Sequence, residues 1–191
     1  MSCLVIYADN GEITQVITGN NDSILANANN VTGNYLIHDG SADLFADYVD
    51  TATSTVQPKG DQPSDGHIFD YSAGEWVFDV DTARSNKWIE IKAAREAEEF
   101  GSFEWSGYLF DCDETSQRRI QGAVQLAQID AALTLDWTLA DNSVQEFTAA
   151  QIIEIGEALA NHVSDTHAHG RIRRSEIDSA TTQQALEGIV W

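Results

Sequence analysis

The residues whose types and spacing could support chemistry lie in the second half of the chain. Asp111-Cys112-Asp113-Glu114-Thr115 follows the apolar Tyr108-Leu109-Phe110. It fits the Asp-x-Asp-x-Thr spacing with which phosphotransferases place a nucleophilic carboxylate beside an acid/base carboxylate. Such an enzyme also needs a parallel sheet after the motif, a cation for the phosphate and a later acidic pair for magnesium. No lysine follows Lys92, and the downstream pattern is helix, hairpin, helix. Asp113 or Thr115 instead suits the first free amides of a helix. The second group is His162, Asp165, His167 and His169, a spacing able to gather a metal ion. On a helix only His162 with Asp165 or His169 shares a face, and no further His or Cys lies nearby to complete a shell. Imidazoles close to a helix C-terminus complement its dipole, which is the competing role. The expectation is therefore no catalytic residue, no cofactor and no metal, with His162, Asp165 and His169 as the remaining candidate ligands.

Other side chains point to structure. Trp88, Trp105 and Trp137 alternate or repeat with apolar neighbours and read as core, whereas Trp76 and Trp191 are less determined. Arg118-Arg119 lies on the polar face of its helix, as solvated surface or as a patch for an acidic partner. Cys3 and Cys112 make neither a disulfide framework nor a metal knuckle and read as reduced core residues.

The elements that carry these residues follow from periodicity. Phe103 to Phe110 alternates around Ser106-Gly107 as a tight hairpin. The next helix has Ile120, Val124, Ala127 and Ala131 on one stripe and Leu126, Ile129 and Leu133 beside it, which predicts cover on two sides. Asp136 to Phe147 is a second hairpin turning at Asp141-Asn142. Thr148 and Gln151 form a capping box for a helix from Ala149 to about His162, with Ile152, Ile155, Leu159 and Val163 inward. Before these, Ser85 to Phe100 is an amphipathic helix using Trp88 and Ile91, with Ile89, Ala93 and Phe100 beside them, closed by Gly101 as a C-cap. Thr181 to Leu186 is a last helical turn.

Earlier still, strands at 3–8 and 13–18 flank Asp9-Asn10-Gly11, a short helix fits Ser23 to Ala28, and Asn34 to His38 is a strand. Leu44, Phe45, Tyr48 and Val49 have helical spacing. A further hairpin spans His67 to Val80. Both prolines lie in 57–66, the best boundary candidate. The predicted class is α+β: a hairpin-rich N-terminal module at 1–60, a linker and hairpin of open ownership at 61–84, and a C-terminal helical domain with two short β-hairpins at 85–191.

Several stretches carry a resemblance. Trp88 with Ile91-Lys92-Ala93-Ala94-Arg95, the run Phe103 to Asp113, Ser116 to Ala127, Asp136 to Val144 and the closing Ile189 to Trp191 together resemble a domain of unknown function that recurs beside bacteriophage tail fibre genes. The stretch Gly33 to Gly60 is similar to N-terminal modules of small phage tail proteins. The resemblance implies a non-enzymatic tail component at the fibre or baseplate, acting as an adaptor between subunits. The alternative it implies is a tail fibre assembly chaperone absent from the mature virion. Its partners would be other tail proteins, with homo-oligomerisation open, and its location the virion tail after assembly in the host cytoplasm.

Charge narrows the partners. The chain of 191 residues has 31 acidic and 10 basic residues, a formal net charge of -21, and no Lys or Arg before Lys59. That field repels phosphate backbones and anionic membranes, so neither nucleic acid nor membrane is expected as a partner. It fits a soluble assembly component, and equally a salt-adapted source. No apolar run reaches the length of a membrane span, and the start lacks a basic segment and a cleavage site.

Overall fold

The structure is a computed structural model describing residues 2–191. It is a mixed α+β protein with several small antiparallel sheets. Contacts divide the chain into a first unit ending at Ala83 and a second spanning Arg84–Trp191.

In the first unit β1 (Ser2–Tyr7) is the central strand, paired antiparallel with β2 (Ile13–Thr18) on one side and β3 (Asn34–Asp39) on the other. Its apolar run is covered on both faces, which is why it does not alternate with polar residues. Leu4 packs with Ile24 and Ala28 of α1 (Asn21–Ala28). Cys3 and Val5 face Ile13 and Val49. Asn20 caps α1 by accepting the amide of Ser23 at 2.8 Å. Val49 belongs to β4 (Asp47–Asp50), paired with β5 (Thr55–Pro58). The expected helix at 44–49 is thus a turn and a strand. The Asp43 carboxylate accepts the amides of Phe45 and Ala46, an aspartate turn that outcompetes helix continuation, and Phe45 is left 82% exposed.

The 57–66 segment is tied into this unit. Lys59 donates its amide to Ala46 O, its carbonyl accepts the Trp76 indole at 3.0 Å, and its ammonium lies 4.8 Å from the Tyr71 ring centroid. Tyr71 follows β6 (His67–Asp70) and Trp76 lies in β7 (Glu75–Phe78), and Phe69 of β6 contacts Tyr48, Tyr71 and Trp76 with centroids 5.0–5.3 Å apart. The hairpin at 67–78 therefore lies within the first unit, and the division falls between Ala83 and Arg84.

That division lies inside α2 (Val80–Glu99), which starts earlier than the spacing of Trp88 and Ile91 suggests. Asp79 accepts the amide of Thr82 at 2.7 Å and opens the helix five residues before Ser85. Ile91 is buried, but Ile89 is 65% exposed and Ala93 is also on the open side. Gly101 is not a left-handed cap; a Cβ there would lie 2.8 Å from the Ala97 carbonyl oxygen. Its carbonyl instead accepts the Cys112 amide.

The second unit then runs β8 (Ser102–Trp105), β9 (Tyr108–Asp111), α3 (Glu114–Ile129), β10 (Thr134–Thr138), β11 (Val144–Thr148), α4 (Ala149–Ser179) and α5 (Gln183–Glu187). Ser106 and Gly107 both have positive φ, 51° and 82°, as a two-residue turn of this hand requires. The two hairpins meet through aromatics: Phe147 of β11 lies 5.4 Å from Tyr108, 5.7 Å from Phe110 and 5.9 Å from Trp105. The amide of Ala140 donates to the Leu109 carbonyl at 3.0 Å and fixes their register. Beneath them α3 and α4 contribute Ile120, Ala123, Ala127, Ile152, Ile155 and Leu159 to one core.

Helix α3 is covered along one stripe only. Ile120, Ala123 and Ala127 are buried, Ile129 is 83% exposed, and Ala131 lies beyond the helix. Helix α4 does not stop near His162 but runs for 31 residues. Its buried positions continue through Thr166, Gly170 and Ile177, and the small residue at 170 brings the Arg95 stem of α2 close. Arg84 Nε donates to the Ala180 carbonyl at 3.0 Å, and the Arg174 guanidinium stacks on Trp88 at 5.1 Å.

One turn position tests this account of the first unit. Gly11 has φ of 97°, and a Cβ there would lie 2.2 Å from the Val49 carbonyl oxygen, because the Gly11 carbonyl accepts the Val49 amide at 2.9 Å. Gly11→Ala should therefore destabilise the protein by about 2 kcal/mol or more, read as a lower urea midpoint. An unchanged midpoint would refute the docking of β4 on this turn.

Candidate functional site

The carboxylates of the Asp-x-Asp-x-Thr run separate on folding. Asp111 ends β9 and is exposed. Asp113 is the N-cap of α3 and accepts the amides of Thr115 and Ser116 at 2.8 and 3.2 Å and the Ser116 hydroxyl at 2.7 Å. The Ser116 hydroxyl first, then these amides, hold its carboxyl below the usual aspartate range. A carboxylate satisfied by three donors is occupied as a helix cap. Cys112 between them is fully buried, and burial pushes its thiol pKa up, which disfavours the nucleophilic thiolate. Cys3 is likewise buried and free, its thiol raised by burial.

The histidine group is not brought to one point. His162, His167 and His169 lie in the middle of α4, so a role at its C-terminus falls with the helix boundary. His162 Nε2 is 3.0 Å from the Glu98 carbonyl oxygen. His167 Nε2 is 3.2 Å from Glu99 Oε2. The His169 ring packs on Trp191 with centroids 4.5 Å apart, and the Trp191 indole donates to Glu98 Oε2. Asp165 is exposed. The imidazoles thus face α2 and Trp191 as packing and pairing groups. Among the described residues no three or more His, Cys, Asp or Glu side chains gather where they could hold a metal.

Of the tryptophans, Trp105 and Trp137 pack against the main core, and Trp88 is half-buried under Arg174. Arg118 pairs with Glu114 at 3.7 Å, both side chains largely exposed, a contact worth only a few tenths of a kcal/mol.

Two of the concavities among the described residues adjoin these elements. A small polar cleft of about 350 Å³ lies between the start of α3 and the β10–β11 hairpin, lined by Asp111, Ser116, Arg119, Asp136, Trp137 and Asn142 among others. A larger groove of about 760 Å³ runs between α3 and α4. Its floor contains Ile120, Val124, Ile153 and Leu159, and its α3 edge is Gln117, Gln121, Gln125 and Gln128. The helices cross closely because α4 has Gly156 at the contact; a Cβ there would lie 2.5 Å from Val124 Cγ2. Motif reading overlooks this groove, since glutamine carries no chemistry of its own. The signal was present as four glutamines spaced four, four and three residues apart, one stripe of a helix.

Residues 82–189, more than half of the chain, match the domain of unknown function DUF4376. The chain belongs to this family. The DUF4376 span takes in both hairpins, the whole of α3 and α4 and hence the cleft and the groove. No curated protein and no solved structure matches the chain. Within the described residues no helix is long and apolar enough to cross a membrane.

The Asp113 cap has a pH signature. A carboxyl whose pKa is lower folded than unfolded stabilises the fold above its unfolded pKa, and that stability is lost as pH falls through the folded value. Asp113→Asn keeps an acceptor but removes the charge. The melting-temperature gap between wild type and this variant should be steady near neutrality and shrink as pH falls below about 4. A gap independent of pH would show that the charged cap contributes nothing.

Proposed function

We propose that this DUF4376 protein is a non-enzymatic structural component of a bacteriophage tail, an adaptor between subunits at the fibre or baseplate. Its site of action is the virion tail, reached from the host cytoplasm during assembly, and its partners are other tail proteins. The observation that carries the non-enzymatic part is the engagement of Asp113 as a helix cap and of His162 and His167 as partners of α2. The tail assignment is supported by the residues that resemble the fibre-associated domain, from Trp88 to Trp191.

The finer architecture belongs to the same proposal: a small hairpin-rich N-terminal module that makes contacts, and a C-terminal helical domain with two short hairpins that serves as the body. The N-terminal module, without Lys or Arg before Lys59, suits a partner surface of positive charge.

A second reading is a tail fibre assembly chaperone. Exposed apolar side chains of the second unit outside the α3–α4 groove, Ile89, Leu109 and Ile172, favour it, because a transient client needs an accessible apolar surface. Quantitative mass spectrometry of purified virions separates the two. A structural adaptor should be present in simple ratio to a known tail ring, and a chaperone should be found in the infected-cell lysate and missing from particles. Absence from both particle and fibre precursors would sink the tail assignment.

A further inference from the structure

The α3–α4 groove has a property that sets it apart on this protein: its α3 edge is neutral. The chain carries a formal net charge of -21, so two copies repel wherever they present ordinary surface to each other. Gln117, Gln121, Gln125 and Gln128 line that edge without a carboxylate among them. Glu157 stands on the opposite, α4 side. A primary amide is both donor and acceptor, and therefore complementary to another copy of itself. Carboxylates and ammonium groups are not.

We propose that this groove is the interface between two copies of the chain, with α3 crossing α3 of the second copy antiparallel about a twofold axis. Three observations converge on a second copy as the occupant. The edge is self-complementary in hydrogen bonding, and its four glutamine positions carry no like charge to repel a second copy. The floor offers Val124 and Ile153, both partly exposed and packed on the main core, as apolar area to bury. Near the end of α3, Ile129 stands 83% exposed with no cover from its own chain.

A twofold axis crossing the glutamine face at the level of residue 123 brings these together. It sets Gln121 opposite Gln125 of the second copy, and it sets Ile129 opposite Gln117, which also lines a separate shallow concavity with Glu114, Arg118 and Gln121. An isologous contact of this kind closes on itself and yields a dimer rather than a filament. This inference stands apart from the tail assignment: it rests on the face itself and holds or fails whatever the protein assembles into.

Sedimentation of the whole chain tests it, using substitutions at positions exposed on α3 so that the fold, checked by circular dichroism, is retained. Wild type should sediment as a dimer, more tightly at about 0.5 M salt than at low salt as the overall repulsion is screened. Gln121→Glu/Gln125→Glu should weaken the dimer by about tenfold or more. Gln121→Lys/Gln125→Lys should weaken it as well, although it lowers the overall negative charge, because like charges then face each other across the axis and the amide pairs are lost. Mixed in equal amounts, the two variants should recover a dimer. A wild type that stays monomeric at high salt overturns the proposal. So does a dimer that ignores both double substitutions, or a lysine variant that dimerises better than wild type.

Discussion

The second unit depends on the seating of Phe147 among Trp105, Tyr108 and Phe110. Two short hairpins have too few ladder hydrogen bonds to be stable alone, so each needs the apolar face of the other. All three ring pairs lie below 6 Å between centroids and bury area, and the pairs with Trp105 and Tyr108 have the edge-to-face geometry that aromatic quadrupoles favour. Phe147 is followed at once by Thr148, the N-cap of α4, whose side chain and Gln151 exchange the bonds of a capping box. The position of the hairpin thereby sets where α4 begins and along which line it lies. In the same way β9 leads through Cys112 to the Asp113 cap of α3. Both helices are aimed by the strands that precede them, and the groove between them is a consequence.

That arrangement explains why residues of catalytic type have become structural. A carboxylate at a strand-to-helix junction is the start of many active sites, yet here the same junction consumes Asp113 in orienting α3. The histidines are consumed by the length of α4. Because the helix continues to Ser179, its middle is held against α2, and imidazoles that would be free at a helix end face Glu98, Glu99 and Trp191 instead. The acidity of the chain then acts on association more than on folding. Carboxylates dominate its surface, and the glutamine edge of α3 is an interval in that field. Such an interval gives no chemistry, but it removes a barrier to contact.

What the sequence determined by itself was local. Hairpins at Ser106-Gly107 and Asp141-Asn142, the cap at Thr148, a cap for α3 at Asp113 or Thr115, and the strand before Asp9-Asn10-Gly11 are each specified within a few residues, by turn conformations and side-chain acceptors that act at short range. Tertiary structure decided what no local rule reaches: that residues 47–49 extend, where Val49 meets the Gly11 turn, and that α4 passes His162 because α2 and Trp191 cover its second half. It also decided that α3 buries one stripe and leaves Ile129 in water. Periodicity reports which residues are apolar, and only the placement of distant segments settles which apolar residues find cover.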